Sequence, residues 1–434
     1  MNVLILHQMG DPWYRIEAVR SLEYMIPENR PDLSCIVHDA DLPFPEYLKS
    51  IEFNLIVLGP TFLCNRYSSF NLKKVLKSYD FIKHSNACKI ALPQDDYDCS
   101  SLLDDWMVEW KIDRIYTVCP ENWNVLYPKS SKNIQIKLGY TGYISDSWIN
   151  LWQSPKLQQQ REIDVSYRAR KLPANFGSLG RLKWQIADLF LESVKDDSTL
   201  NLDISINPKD IISGDSWHSF IENSKFCLTT ASGSSLLDPW NHIRHCVNSF
   251  LAKQPKATYQ QIEEHCFSGL DKKYVFTAIS PRNIEAALAE TVQIATPGSY
   301  SGLMLPYEHF IPLEEDCSNI NEVILMMNDS NLVNKIKKQC KESILSEPRL
   351  RQKYIVNEII SFAESEATRR NILIKEDKFQ SVIKDKYEEE YKYKSDKYWR
   401  YKRSTKKIQS VAIFFGAKRF YNLIIPFFLK NRGI

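Results

Sequence analysis

Cations crowd the stretch Tyr-Arg-Ala-Arg-Lys at residues 167–171, and Gly177, Gly180, Arg181 and Lys183 follow closely. Arg168 and Arg170 offer forked donors to phosphate oxygens. Lys171 adds a third positive charge, and the glycines let backbone N–H groups approach. This combination predicts a cradle for a diphosphate. The run FGSLGRLK at 176–183 fits neither a Walker loop nor G-x-G-x-x-G, so the cradle is of another kind. A second set is TASGSSLLD at 230–238, where Ser232, Gly233, Ser234 and Ser235 expose backbone N–H and hydroxyl groups after a strand. Ser234 or Ser235 also suits a helix cap. The stretch lacks G-x-S-x-G, which excludes a serine nucleophile elbow.

Carboxylates form the complementary group. Asp95-Asp96-Tyr97-Asp98 contains a D-x-D, a spacing able to hold a divalent metal, yet the tripeptide is common and reads first as a solvated loop. Asp95 or Asp96 is better placed to bind or deprotonate an acceptor hydroxyl. His7, after the first strand, is positioned for substrate contact. Glu285 lies in the stretch 278–313, AISPRNIEAALAETVQIATPGSYSGLMLPYEHFIPL, at the start of a short amphipathic run. A carboxylate there can accept hydrogen bonds from ribose or sugar hydroxyls. The plainer reading is complementarity with the helix dipole, worth under about 1 kcal/mol. Ser280 and Arg282 precede it, and Ser301 and Gly302 sit in a loop over the same cleft.

The elements that must position these residues are short apolar strands alternating with helical patterns. Strands are predicted at 3–7, 34–38, 54–59, 89–93, 113–119 and 133–138, then at 163–168, 200–206, 225–229 and 291–295. The alternation predicts two doubly wound, mostly parallel α/β halves facing a cleft. Ligands gather at the C-terminal strand ends of such sheets. That rim would carry His7, Gly10, Thr61, Gln94, Asp95, Asp96 and Gly139. The domain reading is 1–150 for the first half, a polar linker at 151–162, 163–365 for the second half, and a tail at 366–434.

Several chemistries fall away on composition. Of 434 residues, 44% are hydrophobic and 25% charged, an ordinary globular balance, and a net charge of +3 does not point to nucleic acid. The ten cysteines contain no C-x-x-C, which argues against a zinc ribbon or thioredoxin-type site, and many sit in apolar runs and read as reduced core residues. The opening MNVLILHQMG has no basic n-region and reads as a first strand, not a signal peptide. No apolar run reaches the roughly 18 residues of a membrane span, so a cytoplasmic protein is expected. Residues 375–407 are dense in charge and Tyr and read as a solvated helix. Residues 408–434 interleave apolar and aromatic residues with Lys418, Arg419, Lys430 and Arg432. That pattern suits either peripheral contact with a membrane interface or packing on the body or a partner.

With two tandem halves, a basic loop opening the second, and Glu-Ala-Ala-Leu-Ala at a helix start, the chain resembles GT-B-fold glycosyltransferases. The run IEAALAETVQIAT resembles the donor-binding segment of retaining nucleotide-sugar transferases. Two glutamates separated by seven residues mark that segment. Glu285 matches the second, and Thr277 stands where the first would fall. The blocks DVSYRARKLPANFGSLGRLKWQIAD, FCLTTASGSSLLD and KIALPQDDYD, with 278–313, resemble family-1/family-4-like bacterial enzymes of surface-polysaccharide biosynthesis. The likeness covers roughly residues 1–365.

The resemblance implies a nucleotide-diphosphate sugar as co-substrate, without a bound metal or other cofactor. Arg168, Arg170 and Lys171 would hold the diphosphate and Glu285 the ribose or sugar. Gly177, Gly180, Lys183, Ser232, Gly233, Ser234, Ser235, Ser280, Arg282, Ser301 and Gly302 would line the donor site. A glycan or lipid-linked acceptor would bind the first half near His7 and Asp95 or Asp96, at the inner face of the plasma membrane. Retention of configuration is implied. A nucleotide-sugar epimerase and a non-catalytic sugar-nucleotide-binding scaffold are the competing readings.

Overall fold

The structure, a computed structural model, describes residues 1–12, 17–212, 214–372 and 378–414. The first sheet is built from β1 (Asn2–His7), β2 (Ser34–Asp39), β3 (Leu55–Leu58), β4 (Cys88–Ala91), β5 (Arg114–Thr117) and β6 (Gln135–Leu138). Their order is β2-β1-β3-β4-β5-β6 and every pair is parallel. Every residue of β1, β3 and β4 is buried. Continuous apolar runs of this kind belong to strands covered by helices on both faces. At the edge, β6 alternates exposed and half-buried residues.

The second lobe contains β7 (Ile163–Arg168), β8 (Leu202–Ser205), β9 (Ser224–Thr229), β10 (Ser232–Ser234), β11 (Phe276–Ala278), β12 (Val292–Ala295) and β13 (Ile311–Pro312). Five of these form a parallel sheet in the order β13-β12-β9-β7-β8, while β10 and β11 make a small antiparallel ladder. Two doubly wound lobes are therefore present, as the alternation of elements predicted. Each lobe has its own core, around Leu6, Phe62 and Trp106 in the first and Val165, Ile186 and Phe190 in the second. A further apolar cluster joins them, running from Ile5 and Tyr143 through Trp148 to Ile284, Tyr300 and Ile359.

That seam alters the reading of the connecting segment. The helix Asp146–Leu151 lies there, capped by Ser145, whose hydroxyl accepts from the Trp148 amide at 3.2 Å. Trp148 and Trp152 are buried. Two tryptophans one helical turn apart share a face, and the polar run that follows at 153–162 hid that face in the composition. The helix Gln352–Arg369 likewise returns to the first lobe. Gln352 donates to Ser21 Oγ at 2.7 Å, and Glu358 receives Tyr116 at 3.0 Å and Lys137 at 2.7 Å. Residues 352–365, grouped above with the second half, thus lie on the first sheet.

The helix Lys378–Phe414 also docks on the first lobe. Tyr387 and Trp399 are buried, the Tyr387 hydroxyl lies 2.9 Å from His38 Nδ1, and Arg403 pairs with Asp11 at 2.7 Å. Only part of its surface is solvated, because Tyr387, Tyr391, Tyr398 and Trp399 are spaced to line one face, while Tyr393 is exposed. The side chains of 408–434, on which the membrane expectation rests, lie outside the described residues. Among those described, no helix is long and apolar enough to cross a membrane.

Between β10 and β11 stand two helices, His242–Lys253 and Tyr259–Cys266, over a small core of Leu236, Val247, Ile262 and Phe267. Cys246 and Cys266 form a disulfide across them, with Cα atoms 5.5 Å apart, a pair outside the reduced core cysteines that the sequence led one to expect. The pairing is decided by how the helices meet, which spacing in the chain does not reveal. The same segment reaches across to the first lobe. Arg244 pairs with Asp98, and the Cys99 amide donates to Asp238 O at 2.7 Å.

Candidate active site between the lobes

On the first lobe the rim is organised from beneath by Arg66, which is fully buried. Its guanidinium donates to the carbonyls of Asp98 (2.9 Å), Leu63 (2.9 Å), Gln94 (2.7 Å) and Asp95 (2.9 Å). A planar fork of donors suits an array of fixed oxygens, and here it holds the loop 94–98 in one shape. In that shape Asp95 takes a left-handed backbone conformation, φ 52°, and its side chain is exposed. Such a conformation costs a non-glycine residue roughly 1–2 kcal/mol, though Asp tolerates it better than most. The Tyr97 hydroxyl steadies the carboxylate, donating to Oδ1 at 2.5 Å.

Two neighbours expected at this rim face elsewhere. Asp96 is fully buried and receives hydrogen bonds from Thr117 and, at 2.6 Å, from Tyr127. Burial pushes its pKa up, against those two bonds. It anchors the loop inside the lobe and presents nothing to a ligand. His7 does end β1, but it is 0% exposed, so it does not meet substrate at the surface. The physical reason is that β1 is central in the sheet and its last residue is still covered on both faces.

On the second lobe the basic cluster is divided between internal contacts and the surface. Arg168 is spent inside the lobe. It pairs with Asp203 at 2.6 Å, donates to the carbonyls of Tyr167, Asp203 and Asp210, and lies over Phe220. Arg170 and Lys171 are exposed, and Lys171 rests over the Trp184 ring at 4.8 Å. None of the three hydrogen-bonds to Glu285 or pairs with it among the described residues.

The start of the helix Gly177–Ser193 is likewise occupied by the chain itself. The Ser178 amide donates to the Asp271 carboxylate, the Leu179 amide donates to Ser235 Oγ at 3.1 Å, and Ser235 donates to Asp271 at 2.5 Å. A Cβ on Gly177 would lie 2.3 Å from Ser235 Oγ and 2.6 Å from Asp271 Oδ1, so the glycine serves this internal cap. Ser234 bonds the Phe176 and Leu236 carbonyls. A Cβ on Gly233 would collide with the Phe276 carbonyl across the β10–β11 ladder. Gly180 makes room for Phe176. These residues build the site's frame.

Two cations remain. Lys183, in the second turn of the helix, is half-buried and its amine lies 3.2 Å from Ser232 Oγ. The Tyr167 hydroxyl holds the helix here, donating to the Lys183 carbonyl at 2.5 Å. Arg282 is also half-buried, donates to the Arg168 carbonyl, and packs over Tyr167 (5.0 Å) and Trp217 (5.4 Å). Neither has a carboxylate within ion-pair distance among the described residues. Burial, and then the Arg282 charge, push the Lys183 amine down to about 8, while Asp95 acts in the opposite direction from across the gap.

Glu285 belongs to the helix Pro281–Leu288, whose cap is Ser280, so it sits in the second turn and not at the helix start. It is 5% exposed, and Trp217 Nε1 donates to its Oε2 at 2.8 Å. Burial pushes its pKa up, and the Trp217 bond and Arg282 oppose that. The dipole explanation loses force at this depth, since the effect fades within the first turn. Thr277 pairs with Ser299 at 2.9 Å, Ser301 accepts from the Ile279 amide at 3.1 Å, and Gly302 turns the loop at φ 75°. Arg66, Trp217 and Asp271 were not foreseen in the sequence. Each stands alone in its local run, and only its non-local partners show its role.

Two facing doubly wound lobes are the GT-B architecture, and this chain has it. No family model and no curated protein matches the chain. Among solved structures it is similar to Anabaena Alr3699/HepE in complex with UDP-glucose. That pair is 12% identical, with a TM-score of 0.45 over 84% of this chain and 100% of the other. Sucrose-phosphate synthase from Thermosynechococcus elongatus is similar at 9% identity and TM-score 0.47, over 84% and 98%. A glycosyltransferase from Rickettsia africae is similar at 10% identity and TM-score 0.45, also over 84% and 98%.

Proposed function

We propose that the chain is a glycosyltransferase that moves a sugar from a nucleotide-diphosphate donor to a glycan or lipid-linked acceptor. The observation that carries the reading is the pair Lys183 and Arg282, half-buried and without carboxylate partners among the described residues, on the rim facing Asp95. Two unpaired cations in a partly desolvated site favour a doubly charged anion. In this reading they hold the donor diphosphate and offset the charge that develops on it as it leaves, without a metal.

Asp95 serves the acceptor side. Its exposed carboxylate orients the acceptor hydroxyl and takes its proton, a role that contributes typically about 10²–10⁴-fold in rate. Glu285, with Oε1 lacking an in-chain partner among the described residues, receives a donor hydroxyl, and retention of configuration goes with that assignment. The acceptor binds at the cytoplasmic face of the membrane, with 408–434 as the lipid contact.

The test is incubation with a panel of nucleotide sugars, with and without glycan acceptors, while following release of the nucleotide diphosphate. Transfer or slow donor hydrolysis that disappears in K183A supports the reading. Interconversion of sugar isomers without an acceptor would identify an epimerase instead. Tight nucleotide binding with no turnover would leave a binding scaffold, a reading favoured by the burial of Glu285 against Trp217. Loss of liposome binding on deleting 408–434 checks the membrane contact.

A further inference from the structure

The first lobe has a cavity that the candidate active site does not use. It has a volume of about 320 Å³, and Gln8, Asp41, Asn65, Asn71, Ser78 and Tyr79 are among its walls. Its place in the fold is informative. β1 lies between β2 and β3, so the chain passes to one side of β1 and then to the other. Gln8 follows β1, Asp41 follows β2, and Asn65 follows β3. The cavity therefore sits where the strand order reverses, at the C-terminal edge, which is where doubly wound sheets hold ligands.

Its walls select by charge. Glu46 and Lys49 line it and pair with each other at 2.8 Å, while Asp41 and Lys74 add one charge of each sign. A phosphate would meet two carboxylates, and a cation would meet two lysines. The remaining polar groups offer donors and acceptors together. Gln8 donates to Asp41 Oδ1 at 3.0 Å and accepts from Asn65 at 2.5 Å, which fixes all three side chains. Asn65 Oδ1, Asp41 Oδ2, the Asn71 side-chain carboxamide and the Ser78 hydroxyl keep hydrogen-bonding capacity, with no in-chain partner among the described residues. Hydroxyl groups both donate and accept, so a neutral, hydroxyl-rich ring matches this lining. Asn65 is also the chain neighbour of Arg66, which holds the Asp95 loop.

We propose that this pocket is a carbohydrate subsite that takes a sugar unit of the acceptor beyond the one that reacts at Asp95, so that the acceptor is an oligosaccharide and not a single sugar. The word acceptor rests on the transferase reading; the preference for an uncharged polyol does not.

The test uses the full chain and saturation-transfer NMR with maltotriose, chitotriose and mannotriose, glucose and inorganic phosphate as probes. At least one trisaccharide should receive saturation more strongly than glucose, and phosphate should not displace it. Asn71→Trp and Ser78→Trp fill the pocket from exposed helix positions and should abolish the transfer, with melting temperature and pyrophosphate affinity unchanged. Absence of trisaccharide binding, displacement by phosphate, or equal binding by both variants would overturn the proposal. Nucleotide-sugar turnover is read on the same samples. Binding without turnover sinks the transferase reading and keeps the pocket, and turnover without binding does the reverse.

Discussion

The carboxylate of Asp271 accepts the backbone amide of Ser178, its two oxygens 3.2 and 3.1 Å away, at the first turn of the helix that follows β7. A helix N-terminus after a strand is a ready anion site, and in this chain the anion is supplied from within. In the proposed reading an external diphosphate therefore sits farther along the helix, at Lys183 in its second turn, and across at Arg282.

Replacing Asp271 by Ala therefore removes a cap and not a ligand contact. A loss of about 1–2 kcal/mol in chemical denaturation is expected. Pyrophosphate affinity by calorimetry should stay close to that of the native chain. A fall in affinity with unchanged stability would return the diphosphate to Gly177 and Ser235.

Lys183→Ala and Arg282→Ala should each weaken nucleotide-diphosphate binding by roughly ten- to a hundredfold, since hydrogen bonds to charged groups are worth about 1.5–3 kcal/mol. Arg170→Ala and Lys171→Ala should leave it nearly unchanged, because exposed cations are screened by salt. The opposite ranking in calorimetry would restore the cluster at 168–171 as the cradle.

Binding should also depend on pH through Lys183, whose amine is brought down to about 8. Below that value it is charged and attracts the anion; as pH rises through it, affinity falls, and a bound phosphate moves the fall upward by favouring the proton. Lys183→Arg should flatten the profile. For the empty protein the sign is reversed. The folded amine binds its proton less readily than the unfolded one, at 10.5, so this group adds stability as pH rises from about 8 towards that value. Melting temperatures over the same range, native against Lys183→Arg, read the difference.

Asp95→Asn keeps a residue that tolerates the left-handed backbone while removing the charge. Turnover should fall by about 10²–10⁴-fold, the usual contribution of a general base. Nucleotide affinity should not change. Asp96→Asn should act instead on stability, because Asp96 is bonded inside the lobe to Thr117 and Tyr127. A turnover loss confined to the Asp96 variant would exchange the two assignments.

The two sheets and their rims were legible in the residue pattern alone. The apolar run NLIVLG and the alternating IDVSYR mark strands because burial repeats locally along the chain, and the residues after them must lie at one edge. The sequence also marked Lys183, Ser232, Arg282 and Asp95, since each follows or faces a strand end. What it did not decide is which charges are free. Arg168 and Lys183 look alike as residues in a basic loop, yet Arg168 meets Asp203, 35 positions on, and Lys183 meets Ser232 and no carboxylate among the described residues. Asp95 and Asp96 are adjacent, and one faces the gap while the other faces the core. The same holds for the Cys246–Cys266 bond and for the helix Gln352–Arg369 returning to the first sheet. Charge is spent by contact with partners distant in the chain, and those contacts exist only once the lobes have packed.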